Sequence, residues 1–78
     1  MRKHYYSPES IERLTELGAT DEEFEIIEGH VVDLAKNPKL GYRIPFVLKE
    51  EVYRFDVGRF GLIYMFTSRR LDVLTVLL

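Results

Sequence analysis

The segment VYRFDVGRFGLIYMF, residues 52–66, decides the fold because the spacing of apolar residues changes there from the period of helices to that of strands. In Val52–Val57, apolar and more polar side chains alternate, which describes a strand with one buried face. Gly58-Arg59 follows as a tight turn, although glycine here precedes rather than follows its partner. Phe60–Thr67 is then a strand that is apolar on both faces. The segment therefore predicts an antiparallel hairpin.

A third strand is expected after this hairpin. Ser68–Arg70 forms the turn, and Leu71–Leu78 is apolar on both faces apart from Asp72 and Thr75. Strands that are apolar on both faces belong in the middle of a sheet, so the alternating strand Val52–Val57 is predicted to lie at an edge.

The two apolar strands need cover on both faces, and helices can cover only one. Aromatic side chains of the preceding loop, Tyr42 and Phe46, could cover the second face, or a second protein could. A chain of 78 residues has a thin margin of stability, which also favours a partner or a homodimer. The apolar pattern is the most useful physical indication of a binding function.

Two helices are predicted before the hairpin. The first begins at Ser7-Pro8, where serine can cap and proline suits the first position, and ends before Gly18. The second begins with the capping-box pattern of Thr20–Glu23 and ends at Asn37-Pro38. Because one or two residues separate them, they are expected to form a tight antiparallel hairpin. Gly29, in the middle of the second helix, is then expected where the first helix approaches closely.

The remaining segments complete the fold prediction. Lys3–Tyr6 adds a short strand before the helices, and Pro38–Pro45 is predicted to be a loop because proline and glycine prevent regular structure. The order is then β-α-α-β-β-β. We predict one α+β domain, residues 1–78, in which a helical hairpin packs on one face of a small, mainly antiparallel sheet.

The composition limits the chemistry that the chain can perform. There is no cysteine, which rules out disulfides and thiolate metal sites, and His4 and His30 belong to no cluster with metal-ligand spacing. No phosphate loop, nucleophile triad or cofactor motif is present, so we expect neither a cofactor nor a metal. No signal peptide or membrane-spanning run is present either. We expect a cytoplasmic protein that does not contact membranes.

Charges are unevenly distributed along the chain, although the net charge is only −2. Residues 9–33 contain nine acids and one base, whereas residues 34–78 contain eight bases and four acids. Such asymmetry indicates an electrostatic partner, and two solvated faces of opposite sign are the alternative interpretation.

Three segments carry a family resemblance. Residues 34–43, LAKNPKLGYR, look like the helix end and loop of ParE-type toxins, where an L-A-x-N-P-x-x-G run leads into the sheet. Residues 52–60, VYRFDVGRF, are similar to the strand and turn x-Y-R-x-x-x-G-x-Y. Residues 62–64 and 71–76 look like the two strands that follow. The chain thus resembles the RelE/ParE toxin superfamily, and the resemblance implies the fold predicted above.

The resemblance also implies partners. RelE-like members cut messenger RNA on the ribosome, and ParE-like members poison DNA gyrase. Both kinds belong to bacterial toxin–antitoxin systems and are neutralised by a small antitoxin that wraps the toxin's helices and extends its sheet. The expected partners are therefore a cognate antitoxin and either the ribosome with its mRNA or DNA gyrase.

Four cations are candidate contacts to a nucleic acid or a protein target: Arg43, Lys49, Arg54 and Arg59. Arg54 and Arg59 are also the candidate catalytic residues, because RNA cleavage needs cations that hold the phosphate. Arg54 shares a strand face with Asp56, away from the core, where a substrate could sit. An ion pair between Arg54 and Asp56 is the competing interpretation.

The sequence departs from the nuclease pattern at two places. RelE-like nucleases have an arginine at the position of Gly61, and they carry basic residues and a tyrosine or histidine after the last strand, whereas this sequence ends at Leu78. None of the four candidate cations is a good base near neutral pH. The leading prediction is a toxin or toxin-like protein that acts mainly by protein–protein binding. The alternatives are a ribosome-dependent mRNA endonuclease, a degenerate non-toxic family member, and a general nucleic-acid binder that uses the basic half.

Overall fold

A computed structural model describes residues 2–45 and 51–78. The elements are, in chain order, β1 (Lys3–Tyr6), α1 (Pro8–Glu16), α2 (Asp21–Lys36), β2 (Tyr42–Arg43), β3 (Tyr53–Val57), β4 (Phe60–Phe66) and β5 (Arg70–Leu77). A 3-10 turn, Pro38–Leu40, leads from α2 towards β2. The strands form one five-stranded sheet in the order β1-β5-β4-β3-β2. β1 runs parallel to β5, and the other neighbours are antiparallel.

The predicted α+β class and the mainly antiparallel sheet are confirmed, with one addition and one error. The sequence predicts only a loop over Pro38–Pro45, but this segment contains the 3-10 turn and the two-residue strand β2. β2 pairs with β3, so β3 does not lie at the edge and that prediction is wrong. The alternating pattern of β3 instead reflects a sheet face that the helices leave uncovered.

Side-chain contacts fix where the two helices begin, as the sequence predicts. The Ser7 hydroxyl caps α1 by accepting a hydrogen bond from Ser10 N at 3.0 Å. At the start of α2, the Thr20 hydroxyl accepts from Glu23 N at 3.1 Å and the Glu23 carboxylate accepts from Thr20 N at 3.0 Å. This is the complete capping box. Gly18, with φ 71°, adopts the left-handed conformation just after α1.

The core lies between the helices and one face of the sheet. The helices contribute apolar side chains at Leu14, Ile27, Val31 and Leu34. The sheet contributes those of Tyr53, Val57, Phe60, Leu62, Tyr64, Leu71, Val73 and Val76. These sheet residues point to the same side, so the helices cover one face only, as predicted.

An extra residue in β5 changes which side chains reach this core. Tyr64 pairs with Val73, whereas Leu62, two residues earlier on β4, pairs with Val76, three residues later on β5. The irregularity is a β-bulge, which interrupts the alternation of the strand. Val73 and Val76 are therefore both fully buried, although simple alternation would place them on opposite faces.

The buried ring of Tyr64 holds the segment that leads into β2. Its hydroxyl donates a hydrogen bond to the Pro38 carbonyl oxygen, and burial raises the pKa of Tyr64 to about 12. Gly41 passes so close to the sheet that an added Cβ would lie 2.6 Å from the Arg54 carbonyl oxygen, and it would also collide with the Tyr64 hydroxyl. Position 41 therefore accepts no side chain without a shift of the backbone.

Gly29 does not lie where the sequence predicts. An added Cβ would meet no atom within 4 Å, so the first helix does not approach it. α1 packs chiefly on β5, and α2 packs across β1, β3 and β5. The prediction of a close helix–helix contact is wrong because the sheet, and not the other helix, supplies the surface that each helix buries.

Replacing Gly29 by alanine is expected to stabilise the fold by about 0.5–1 kcal/mol, because alanine loses less backbone entropy in a helix and its methyl group meets open space. The free energy of unfolding in urea measures the change. Gly41→Ala is the matched control and is expected to destabilise the fold by about 1–3 kcal/mol through overpacking. A destabilising Gly29→Ala variant would contradict the packing described above.

Candidate functional site

The sheet face opposite the helices, here called the open face, carries an apolar centre between charged and aromatic flanks. By strand register its residues are Lys3, Tyr5, Tyr42, Arg54, Asp56, Gly61, Ile63, Met65, Arg70, Asp72, Thr75 and Leu77. Tyr42, one of the two possible covers that the sequence offers, is 55% exposed, so its ring does not cover this face. Phe46, the other expected cover, lies outside the described residues.

Arg54 lies on the open face, where the sequence predicts it. Its Nε donates a hydrogen bond to Asp56 Oδ1 at 2.8 Å, and this contact raises the pKa of Arg54 above its ordinary value. The ion pair that competes with a catalytic role is therefore present. Arg54 can bind another anion only if that anion displaces the Asp56 carboxylate or shares the guanidinium with it.

The Arg54 guanidinium also occupies the space above Gly61. A Cβ added at Gly61 would lie 2.6–2.8 Å from the guanidinium atoms of Arg54. The arginine that the resemblance implies at this position is absent from β4, but a guanidinium from the neighbouring strand β3 lies over the same backbone. Gly61 thus makes room for Arg54.

Arg59 points to the other side of the sheet. Its Nε and one terminal nitrogen donate to the two Glu23 carboxylate oxygens at 2.9 and 3.1 Å, and the same nitrogen donates to the Gly18 carbonyl oxygen at 3.3 Å. The guanidinium stacks over the Phe60 ring, 4.6 Å from its centroid. The hydrogen bond from Arg59 is the main cause that lowers the pKa of Glu23 from 4.5 to about 2.

The structure therefore separates the two candidate catalytic residues. Arg54 lies on the open face, and Arg59 ties the β3–β4 turn to the first turn of α2. Arg43 is exposed in the edge strand β2, opposite Tyr53 on the helix side of the sheet. Lys49 lies outside the described residues. The three described candidates do not converge on one phosphate, which speaks against a shared catalytic centre.

A second arginine–aspartate pair on the open face was not among the sequence predictions. Arg70 donates to both carboxylate oxygens of Asp72, at 2.6 and 2.9 Å. Its guanidinium lies over the Tyr5 ring, 4.2 Å from the centroid. The signal is readable in retrospect: arginine and aspartate two residues apart on a strand share a face, as they do at Arg54 and Asp56.

An apolar groove lies on the helix side, beside the β3–β4 turn. Its volume is about 200 Å³, and it is lined by Glu23, Ile26, Ile27, Val57, Gly58 and Phe60. Ile26 is 49% exposed at its rim. We call this feature the α2 groove. It is not predictable from the sequence, because its two walls come from segments far apart in the chain.

A polar cluster joins β1 to the middle of α2. Glu28 accepts hydrogen bonds from the Tyr6 hydroxyl at 2.6 Å, and its oxygens lie 2.9 and 3.1 Å from His4 Nε2. Burial, together with the adjacent carboxylate, raises the pKa of Tyr6 well above its ordinary value. The cluster thus ties β1 to the middle of α2.

The described residues offer no metal centre. Among residues 2–45 and 51–78, no three metal-ligating side chains come together. In the same residues, no helix is long and apolar enough to cross a membrane. Comparison of the chain with protein-family models gives no match, and comparison with curated proteins gives none either.

Replacing Glu23 by glutamine is expected to remove part of the acid sensitivity of the fold. The pKa of this carboxyl is lowered from 4.5 to about 2, so its ion pair stabilises the folded state above about pH 4.5 and is lost as the pH falls towards 2. The urea midpoint of Glu23→Gln should therefore lie below that of the wild type at neutral pH, and the gap should close in acid.

Glu22→Gln is the control, because Glu22 is exposed in the same helical turn and forms no ion pair among the described residues. Glutamine also retains the capping interaction at position 23, so the comparison isolates the charge. A gap that stays constant between neutral and acid pH would contradict the prediction.

Proposed function

We propose that this chain is a toxin or toxin-like component of a bacterial toxin–antitoxin system, which acts mainly by binding proteins and is neutralised by a small antitoxin. The observation that carries the proposal is the surface formed by the α2 groove and the outer face of α2. This surface is apolar at its centre and carries exposed acidic side chains around it. No other segment of the described residues covers it.

The α2 groove has the size and lining of a site for one large apolar side chain. Its floor is formed by Ile27, Val57 and Phe60, and Ile26 stands half-exposed at the rim. Beside it, Gly29 lies in the exposed middle of α2 with open space above it. A glycine there costs helix stability and gains no internal contact, but it lets a partner's backbone approach the helix closely. Both features suit a docked segment.

Charge indicates what kind of segment would bind there. Glu22, Glu25 and Asp33 are exposed on the same side of α2 and form no ion pair among the described residues. Two copies of this surface would repel each other, so a homodimer is disfavoured here. A basic segment with apolar anchors is complementary.

Two further observations support the proposal. The order β-α-α-β-β-β, which the resemblance to the RelE/ParE superfamily implies, is the order of the long elements here. The candidate catalytic arginines are each neutralised by a carboxylate of the same chain and lie on opposite sides of the sheet. Binding requires neither arginine to be free, whereas cleavage of RNA does.

The test is binding to the product of the neighbouring gene. The two proteins should form a complex, and Ile26→Glu should weaken it at least tenfold, because a charge replaces an apolar side chain whose burial under the partner is worth about 1.5–3 kcal/mol. Titration calorimetry measures the affinity. Ile11→Glu on α1 is the matched control, since Ile11 is 42% exposed but lies outside the groove.

A well-behaved monomer with no affinity for the neighbouring product would count strongly against the proposal. Equal weakening by the Ile11 and Ile26 variants would also contradict the assignment of the surface, although not the existence of an antitoxin.

One observation favours the second candidate, a ribosome-dependent mRNA endonuclease. The Arg54 guanidinium lies above Gly61, where the nuclease pattern has an arginine. If Arg54 serves in its place, expression of the chain should arrest growth and produce new codon-linked 5′ ends in sequenced RNA. Arg54→Ala should abolish both effects, and Arg59→Ala, which removes an equal charge from the helix side, should retain the 5′ ends.

Growth arrest without new 5′ ends would exclude the nuclease and favour a protein target. The absence of growth arrest would indicate the degenerate, non-toxic alternative.

A further inference from the structure

The fold gathers cations from both ends of the described sequence at one corner of the sheet. Lys3 N donates to the Arg69 carbonyl oxygen at 3.1 Å, and Lys3 pairs in register with Arg70. Arg2 donates to the carbonyl oxygens of Thr67 and Ala35. We call Arg2, Lys3, Arg69 and Arg70 the basic corner. Arg2 and Lys3 lie far from Arg69 and Arg70 in the sequence, and the parallel pairing of β1 with β5 brings the two pairs together.

The positive charge of this corner is only partly compensated. Of the four cations, Arg70 has a carboxylate partner, Asp72. Arg2 lies at the helix side of the corner, held by two neutral carbonyl oxygens and the Phe66 ring. Lys3 and Arg69 are exposed and form no ion pair among the described residues. Like charges held this close repel one another unless an anion lies between them. The corner therefore favours an anionic ligand.

An exposed aromatic ring lies within the same corner. Tyr5 is 42% exposed, and the Arg70 guanidinium stacks on its ring at 4.2 Å. Lys3 and Tyr5 are two residues apart on β1 and share the open face. A shallow depression, open to solvent and lined by Arg2, Lys3, His4 and Tyr5, runs along this edge strand. The corner thus combines cations, a ring and space for a ligand.

We propose that the basic corner binds single-stranded nucleic acid, with a base stacked on Tyr5 and phosphates held by Lys3, Arg69 and Arg2. Aromatic rings interleaved with cations are the means by which proteins bind single strands, because every base has a face that stacks and every nucleotide carries a phosphate. An acidic peptide would satisfy the cations but has no aromatic base to stack on the part of the Tyr5 ring that Arg70 leaves exposed. This surface is distinct from the α2 groove, so the inference does not depend on the proposed antitoxin.

The experiment measures fluorescence anisotropy of a labelled oligonucleotide of about eight nucleotides, as RNA and as DNA, with the full chain. Binding should weaken as salt rises from about 50 to 200 mM, with a slope of log K against log salt of about −2 for three phosphate contacts. Lys3→Gln/Arg69→Gln should weaken binding at least tenfold and reduce the slope by about 1.4. Lys39→Gln/Arg43→Gln removes the same charge near the opposite edge of the sheet and should change affinity little.

Two single variants test the ring and the partner carboxylate. Tyr5→Ala should weaken binding of the oligonucleotide about tenfold but leave binding of inorganic polyphosphate unchanged, whereas Tyr5→Phe should retain both.

Asp72→Asn should tighten binding of the oligonucleotide severalfold, because it releases Arg70 from its ion pair. This gain cannot come from a misfolded variant. The temperature midpoint of the wild type should also rise when the oligonucleotide is added at low salt.

Several results would overturn the inference. The first is absence of binding at low salt, and the second is equal weakening by the two double variants. A poly-glutamate peptide that binds as tightly as the oligonucleotide would assign the corner to acidic protein instead. Loss of polyphosphate binding in Tyr5→Ala would show that the ring supports the fold of the corner rather than a base.

Discussion

The burial of one sheet face by two helices is the constraint on which the rest of this structure depends. A sheet of five strands offers two faces, and α1 and α2 supply apolar side chains for one. Tyr64 and Val73 on that side are completely buried. On the other side, Ile63 is only 8% exposed, although no helix lies above it. The Arg54 guanidinium lies across the neighbouring Gly61, so a charged group and not a helix covers this part of the sheet.

This one-sided arrangement also decides where the charges lie. The outer surfaces of the helices are acidic, and the pairing of β1 with β5 brings Arg2 and Lys3 to Arg69 and Arg70. The charge asymmetry between the two halves of the sequence therefore becomes an asymmetry between an acidic helix surface and a basic corner of the sheet. Arg59 is the exception, since it turns towards α2 and neutralises Glu23. The proposed protein partner and the proposed nucleic acid thus occupy surfaces of opposite sign.

Predictions that rested on local interactions were confirmed. The serine cap of α1, the capping box at Thr20 and Glu23, and the turn at Gly58 each involve residues within a few positions of one another. The sequence offers the pairing of Arg54 with Asp56 as an alternative for the same reason, because residues two apart on a strand share a face. The pair formed by Arg70 and Asp72 has the same spacing and could have been found in the same way.

Predictions that required knowledge of distant neighbours failed. The alternating pattern of β3 predicts an edge strand, but such a pattern reports only which faces of a strand are buried and does not show whether its edges are paired. Gly29 predicts a close contact between the helices, but the surface that a helix buries depends on what lies beside it. Arg59 could not be assigned to Glu23, because 36 residues separate them.

The sequence by itself determined the α+β class, the order of the long elements and the ends of the helices, because side-chain period and capping act over short distances. Only the tertiary structure decided that Arg54 and Arg59 lie on opposite sides of the sheet, that Gly61 makes room for a guanidinium, and that four cations meet at one corner. These outcomes depend on strand order, parallel or antiparallel pairing, and the bulge in β5. Such features arise from contacts between segments far apart in the chain, and no local pattern encodes them.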